Sequence, residues 1–477
     1  MRLSLNWFTI RFLMIALLLC ATHTSGAADR EVSRLFKDNC AGCHGDQMQG
    51  GQAKTLLDGV WKHGGDDASL ENVIRNGVEA NGMPPWKGML NEGEIHSLVV
   101  YIREKVTEAK RKQTTYAKPV SDQIVTSEEH KFRARTVVDG LSTPWSVAFL
   151  PDGRMLIPEL PGNLQIFDKG NLQTPPVQGL PKFRTIGQGG LMEAIPHPGY
   201  QTNGWLYLVF SDGATNAAGE NVGMTAVVRG RIRDGQWVDE QTIFKAPLST
   251  YRSTAVHFGS RLVFDNSGHI FFGIGERGMG ADAQDLTRPN GKIHRLFEDG
   301  RIPSDNPFVG RSNAIPSIWC FGNRNPQGLA RHPVTGDIWE SEHGPRGGDE
   351  LNWIRKGLNY GWPLITLGMN YDGTPMGKGT SGEGLEQPVT HWTPSIAVCG
   401  INFYTGDKFP KWRNNLFVTS LAQEEYRRLV IDDHKVVHQE LLFRGIGRIR
   451  QTATGPDGYL YIVLNKPDKV VRLEPVE

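Results

Sequence analysis

Residues 151–157 read PDGRMLI, a tight turn that runs straight into an apolar strand. Pro151 pre-sets φ, Asp152 and Gly153 carry turn chemistry, and Met155, Leu156 and Ile157 follow without a polar break. The same texture returns as HPGYQTNGWLYLVF from 197, DNSGHIFFGIG from 265, HPVTGDIWES from 332, RNNLFVTS from 413 and PDGYLYIVL from 456. The starts run from 151 to 456, a mean spacing of about 61 residues. One supersecondary unit repeated at this interval predicts an all-β six-bladed β-propeller over residues 132–477, with blades larger than those of shorter repeats. A pair of β-sandwiches is the alternative; a β-helix needs a shorter, more even repeat.

Outward from that repeat, the composition is that of an ordinary globular protein. The chain has 477 residues, 56 of them Gly and 28 Pro, which suits many strands joined by turns. Its 52 basic and 51 acidic residues give a net charge of +1, which offers nothing to a nucleic-acid backbone. The first residues carry Arg2 and Arg11, an apolar run from Phe12 to Cys20, and then Ser25-Gly26-Ala27. That order predicts a secretory signal peptide over 1–27, an exported, periplasmic protein, and no membrane span in the mature chain. Retention of the segment as an anchor is the alternative. A lipid-modified Cys20 is disfavoured by the bulky Leu19 before it.

Residues 38–46 read DNCAGCHGD. Cys40 and Cys43 have the spacing for two thioether bonds to a haem c, and the adjacent His44 then supplies an axial ligand. A zinc site would need a second Cys pair, and a redox dithiol would need a βαβ setting; neither is present. Val32, Leu35 and Phe36 precede the motif at helical spacing. Ile95, Leu98, Val99, Ile102 and Val106 mark a second helix that closes a small all-α cytochrome c domain over 29–106. The stretch NGMPPWKG presents Met83 as the sixth ligand, stiffened by two prolines; Met48 lies close to His44, and Met89 is a further possibility. Residues 107–131, polar and aperiodic, read as a linker. Cys320 and Cys399 remain, as a disulfide or as two buried thiols.

Four loop clusters in the large region carry polar groups that a surface turn does not need. They surround Gln188 (TIGQGGLM), His257 (TAVHFGSRLVF), Arg277 (GIGERGMGADAQD), and Arg448 with Arg450 (RGIGRIRQ). Several guanidinium groups with one imidazole suit an anionic, planar ligand and a proton abstraction.

The ordered series LSTPWSVAFLPDGRMLIPELPGNL, GQGGLM, HFGSRLVFD, NRNPQGLA, EHGPRGGDELN, FYTGDKFPKWRNNLF and GPDGYLY closely resembles the soluble PQQ-dependent glucose and aldose sugar dehydrogenases over roughly 135–475. Residues 29–106 likewise resemble class I c-type cytochromes, in which the Met of such a loop is the distal haem ligand. The first resemblance implies a six-bladed propeller and His257 as the base for the sugar's anomeric hydroxyl. It places Gln188, Arg277, Arg448 and Arg450 on the quinone, and it implies a Ca²⁺ ion bound by loop carbonyls, for which DLTRPNG is a loose match. Two departures from the glucose enzymes stand out. Val256 replaces an acidic residue before the base, and Ala422 falls where those enzymes have a quinone-contacting Lys. The expected function is sugar oxidation with electrons passed to the haem and on to an external cytochrome, quinone or oxidase. The alternatives are a propeller binding protein that has lost its cofactor and, more remotely, a six-bladed hydrolase. The eight-bladed quinoprotein alcohol dehydrogenases use adjacent cysteines, and this chain has no adjacent pair.

Overall fold

The computed structural model describes residues 30–119 and 123–476. The signal-peptide reading of 1–27 lies outside the described residues. Near the N-terminus four helices form one core: α1 (Val32–Asn39), α2 (Ala41–His44), α3 (Asp67–Asn76) and α4 (Glu92–Gln113). Their starts follow from side chains that take up the orphan N–H groups of a first turn. Glu31 accepts from Ser33 and Arg34, Asp66 accepts from Ser69, and Asn91 and Glu94 form a reciprocal capping box. The stripes read from the sequence are the buried ones: Val32, Leu35 and Phe36 on α1, and Ile95, Leu98, Val99, Ile102 and Val106 on α4.

Beyond the helices, six antiparallel meanders each build one blade. They span 148–172, 191–244, 262–321, 326–392, 398–444 and, for the sixth, 448–476 together with Lys131–Val138. This is the six-bladed propeller that the repeat predicts. Each turn-strand signature is the second strand of its blade, as in Met155–Pro158, Ile338–Glu342, Leu416–Ser420 and Leu460–Asn465, all buried along their whole length. A second strand has neighbours along both edges and a blade against each face, so it reads as an unbroken apolar run. The ring closes where Lys131–Val138 pairs with Lys469–Val476, from Lys131 opposite Val476 to Val138 opposite Val470.

A four-stranded meander brings the starts of its first strand and the turn between its second and third strands to the same face, here called the upper face. The helical domain sits on that face, over blades four and five. Arg346, in the second turn of blade four, donates to both carboxylate oxygens of Glu104 at 2.9 and 2.7 Å. Arg111 donates to Glu425 of blade five at 3.0 Å. Blade four also sends out an excursion, residues 355–389, from its third strand before the fourth. Gly373 there accepts from the Val32 amide at 3.0 Å, and Met369 is fully buried within the helical core. Full burial of a Met side chain stabilises by about 1.5–3 kcal/mol.

Order enters the 107–131 segment from both sides, because α4 continues to Gln113 and Val125–Thr126 adds a fifth strand to blade six. Cys320 lies in blade three and Cys399 in blade five, and both are buried free thiols. Among the described residues no helix is long and apolar enough to cross a membrane.

Candidate active site

The sequence clusters converge because each lies at the upper face. Gln188 precedes the first strand of blade two, His257 that of blade three, and Arg448 and Arg450 open that of blade six. Gly187 has φ of +54°, and a Cβ there would meet the Ala255 carbonyl oxygen at 2.4 Å, so only glycine lets the two loops approach. The contact puts Gln188 Oε1 on the His257 amide at 2.8 Å and the Gln188 amide on the Ala255 carbonyl at 2.9 Å. His257 itself has φ of 53° and is mostly buried.

His257 donates from Nδ1 to Glu276, whose side chain is 2% exposed. With Nδ1 so engaged, Nε2 is the basic nitrogen. Burial lowers the His257 pKa, the Glu276 hydrogen bond and charge oppose that, and the Arg324 and Arg277 charges lower it further. The imidazole is therefore held neutral and oriented, as a base requires. Glu276 is the partner that Val256 cannot be. Glu276 stands next to Arg277 in GIGERGMGADAQD, where the arginine alone is the expected ligand-binding residue.

Arg277 differs from its expected part. It is fully buried, and its guanidinium donates to the carbonyls of Val256, Thr254 (2.8 Å) and Gly223 (3.4 Å) while lying 3.4 Å above the Phe258 ring. Burial pushes its pKa down to about 9. These contacts brace the loop that carries His257. Arg450 lies 3.8 Å over Trp145 and donates to Asn465 at 3.2 Å; burial lowers its pKa to about 10. Arg448 is half-buried at the start of the same strand.

Three further residues join this hub. Arg324 and Asn325, in NRNPQG, are aligned by Glu342, which accepts from both amides. Arg324 also donates to the His343 carbonyl at 3.0 Å and lies 5.1 Å over Trp362. Burial, then the charges of Arg324, Arg450 and His257, hold the His343 pKa down to about 3. Their motifs carried the resemblance, yet no single residue in them breaks a local rule.

Glu276 Oε2, Arg277 Nε, Arg324 Nε, Asn325 Nδ2 and His343 Nε2 are buried without a hydrogen-bond partner. Buried polar atoms are rarely left so, and a group rich in carboxylates and carbonyls would satisfy the donors among them. The residues thus fit PQQ. In DLTRPNG, the loose match for calcium, two carbonyls are already engaged by side chains. The buried Lys292 ammonium already donates to the carbonyls of Asp282 (2.8 Å), Ala283 (2.9 Å) and Asn290 (2.6 Å), and His294 engages that of Pro289 at 3.0 Å. Of these four carbonyls only those of Pro289 and Asn290 belong to DLTRPNG, and only Asn290 meets the ammonium.

In the helical domain Cys40 is half-buried and Cys43 exposed. His44 has a buried, unpartnered Nδ1, and burial lowers its pKa, which favours the neutral ligand form. Met83 packs against the same core as Cys40, while Met48 is buried inside that core and Met89 is 66% exposed. Of the three methionines, Met83 alone is partly buried against the helical core. The backbone supports it: Val78 and Met83 pair, and a Cβ on Gly77 would strike the Pro84 carbonyl carbon at 2.5 Å.

The sequence matches the protein-family model of Glucose / Sorbosone dehydrogenase over residues 141–472. The chain belongs to that family. Residues 27–102 of this sugar dehydrogenase match a second model, that of cytochrome c oxidase, cbb3-type, subunit III. The dehydrogenase is 42% identical over 335 residues to the aldose sugar dehydrogenase YliI of Escherichia coli, covering 69% of this chain and 88% of the relative. It is similar to the crystal structure of the soluble aldose sugar dehydrogenase of E. coli in its apo form, with a TM-score of 0.68 and 38% identity over 72% of this chain and all of that one. The PQQ-bound aldose sugar dehydrogenase of Streptomyces coelicolor matches with a TM-score of 0.58 and 25% identity, over 73% of this chain and all of that one. A sugar dehydrogenase of the propeller family with a cytochrome c domain is therefore the identity of the molecule.

Proposed function

We propose that this dehydrogenase is an exported, periplasmic quinohaemoprotein that oxidises an aldose with PQQ as first acceptor and a covalent haem c as second. The observation that carries the reading is the His257–Glu276 pair, set among buried guanidinium groups at the hub of the ring. When bound, PQQ supplies a two-electron quinone acceptor and haem c a one-electron relay. Arg450, Arg448 and Arg324 would hold the carboxylates of PQQ, and Cys40, Cys43, His44 and Met83 would hold the haem.

His257 Nε2 takes the proton of the sugar's anomeric hydroxyl, and Glu276 stabilises the imidazolium that results. Gln188 and Arg277 keep the His257 backbone in its left-handed conformation and so aim the ring. No step is assigned to calcium. Electrons leave through the cytochrome domain to an external cytochrome, quinone or oxidase.

The test is reconstitution with PQQ, an aldose screen with a dye acceptor, and PQQ titration followed by absorbance. The wild type should bind PQQ and reduce its own haem when sugar is added. His257→Ala should abolish turnover and leave PQQ binding and the haem spectrum intact. Failure to bind PQQ would favour a binding protein, and sugar-driven haem reduction without PQQ would refute the scheme.

A further inference from the structure

The sequence alone suggests a linker over 107–131 whose slack lets the cytochrome dock on the propeller. The helix that ends the cytochrome domain argues otherwise. On α4 the inward residues Ile95, Leu98, Val99, Ile102 and Val106 share one side. Val100, Glu104 and Arg111 lie within about 40° of each other at 100° per residue, on roughly the opposite side. That second stripe meets the propeller at every member. Val100 is fully buried, and a Cβ on Gly347 would come 3.1 Å from its Cγ1. Glu104 takes the two-pronged donation of Arg346, and Arg111 reaches Glu425. The charges alternate across the seam: acid on the helix against base on blade four, then base on the helix against acid on blade five.

The segment after α4 is held as well. The Arg444 amide donates to the Ala117 carbonyl at 3.2 Å, and the Arg444 guanidinium lies 4.9 Å over Tyr116. Met369 and Gly373, from the blade-four excursion, complete the seat.

We infer that blade four is a permanent docking seat for the cytochrome domain, and that this seat rather than the tether fixes its distance from the hub. His343 at the hub and Gly347 at the seat belong to one turn, four residues apart, which bounds their separation at about 14 Å. That bound is on the protein between hub and seat; a domain held on the seat needs no search step to reach this face of the ring. The seat stands on contacts between the two domains and does not depend on which cofactor the hub takes, so it can fail or hold separately from the PQQ reading.

The test replaces residues 120–122 of the haem-loaded full chain with a protease site, cleaves it, and follows the haem absorbance by size exclusion. Haem should co-elute with the propeller after cleavage. Met369→Asp combined with Arg346→Glu should make the cleaved halves separate, with the haem spectrum and far-UV circular dichroism of the uncleaved variant unchanged. Arg346→Glu alone should weaken retention, and adding Glu104→Arg should restore it, which a misfolded propeller would not do. Separation of the wild-type halves on cleavage, or a charge swap without rescue, would overturn the inference.

Discussion

At His257 the backbone φ of 53° places a non-glycine residue in the left-handed region, at a cost of about 1–3 kcal/mol. Gln188 on its amide and Arg277 on the neighbouring carbonyls offset that cost, and Glu276 then sets the ring. Glu276 raises the His257 pKa, so Glu276→Gln should lower it. Activity needs neutral His257 and climbs as pH rises through that pKa, so the acid limb of kcat/KM should move to lower pH. The turnover should fall by about 10- to 100-fold from loss of the orienting carboxylate. The Arg324 charge acts in the opposite sense. Arg324→Met should shift the same limb to higher pH, and a pH–rate profile of the two variants distinguishes the directions. His257 and Gln188 stand out in the sequence because each sits in a loop whose residue types no surface turn requires, but Gln188, expected on the quinone, accepts from the His257 amide instead. Glu276, Arg324 and His343 do not stand out, because their partners belong to other loops. Arg277 kept its position but not its part, since sequence does not tell whether a guanidinium faces a ligand or its own backbone.

Among elements, the second strand of each blade was the plainest signal, because burial on every side leaves no polar alternation to confuse it. The end of α4 was the least legible. Lys110, Arg111 and Lys112 read as solvated linker, and the acid that meets Arg111 lies 314 residues further on. The start of α4 is legible in the capping box of Asn91 and Glu94. Asn91→Ala should remove that cap at a cost of about 1 kcal/mol, visible as a lowered melting midpoint of the haem absorbance band with the propeller's melt unchanged. The Cys320–Cys399 question stayed open in the sequence for want of distance. In the ring the two lie in different blades as free thiols, so thiol titration of the unfolded chain should count both without prior reduction.

For the whole molecule, the blade number was legible from the spacing of the turns, whereas the clasp was not: Lys131–Val138 has the texture of any edge strand. Removing residues 469–476 should open the ring and abolish the cooperative melt of its β-structure by circular dichroism, because the sixth blade would lose the strand between Lys131–Val138 and the rest. The clasp also sets an order of birth. Arg133 and Glu474, paired across it, are 341 residues apart. At roughly 5–20 residues per second the earlier strand waits about 17–70 s for its mate. During that interval the chain behind the cytochrome is an unsealed series of blades with bare edges. The helices of the cytochrome c domain, contiguous within the first quarter of the chain, have no such wait, so that domain can be finished before the ring exists.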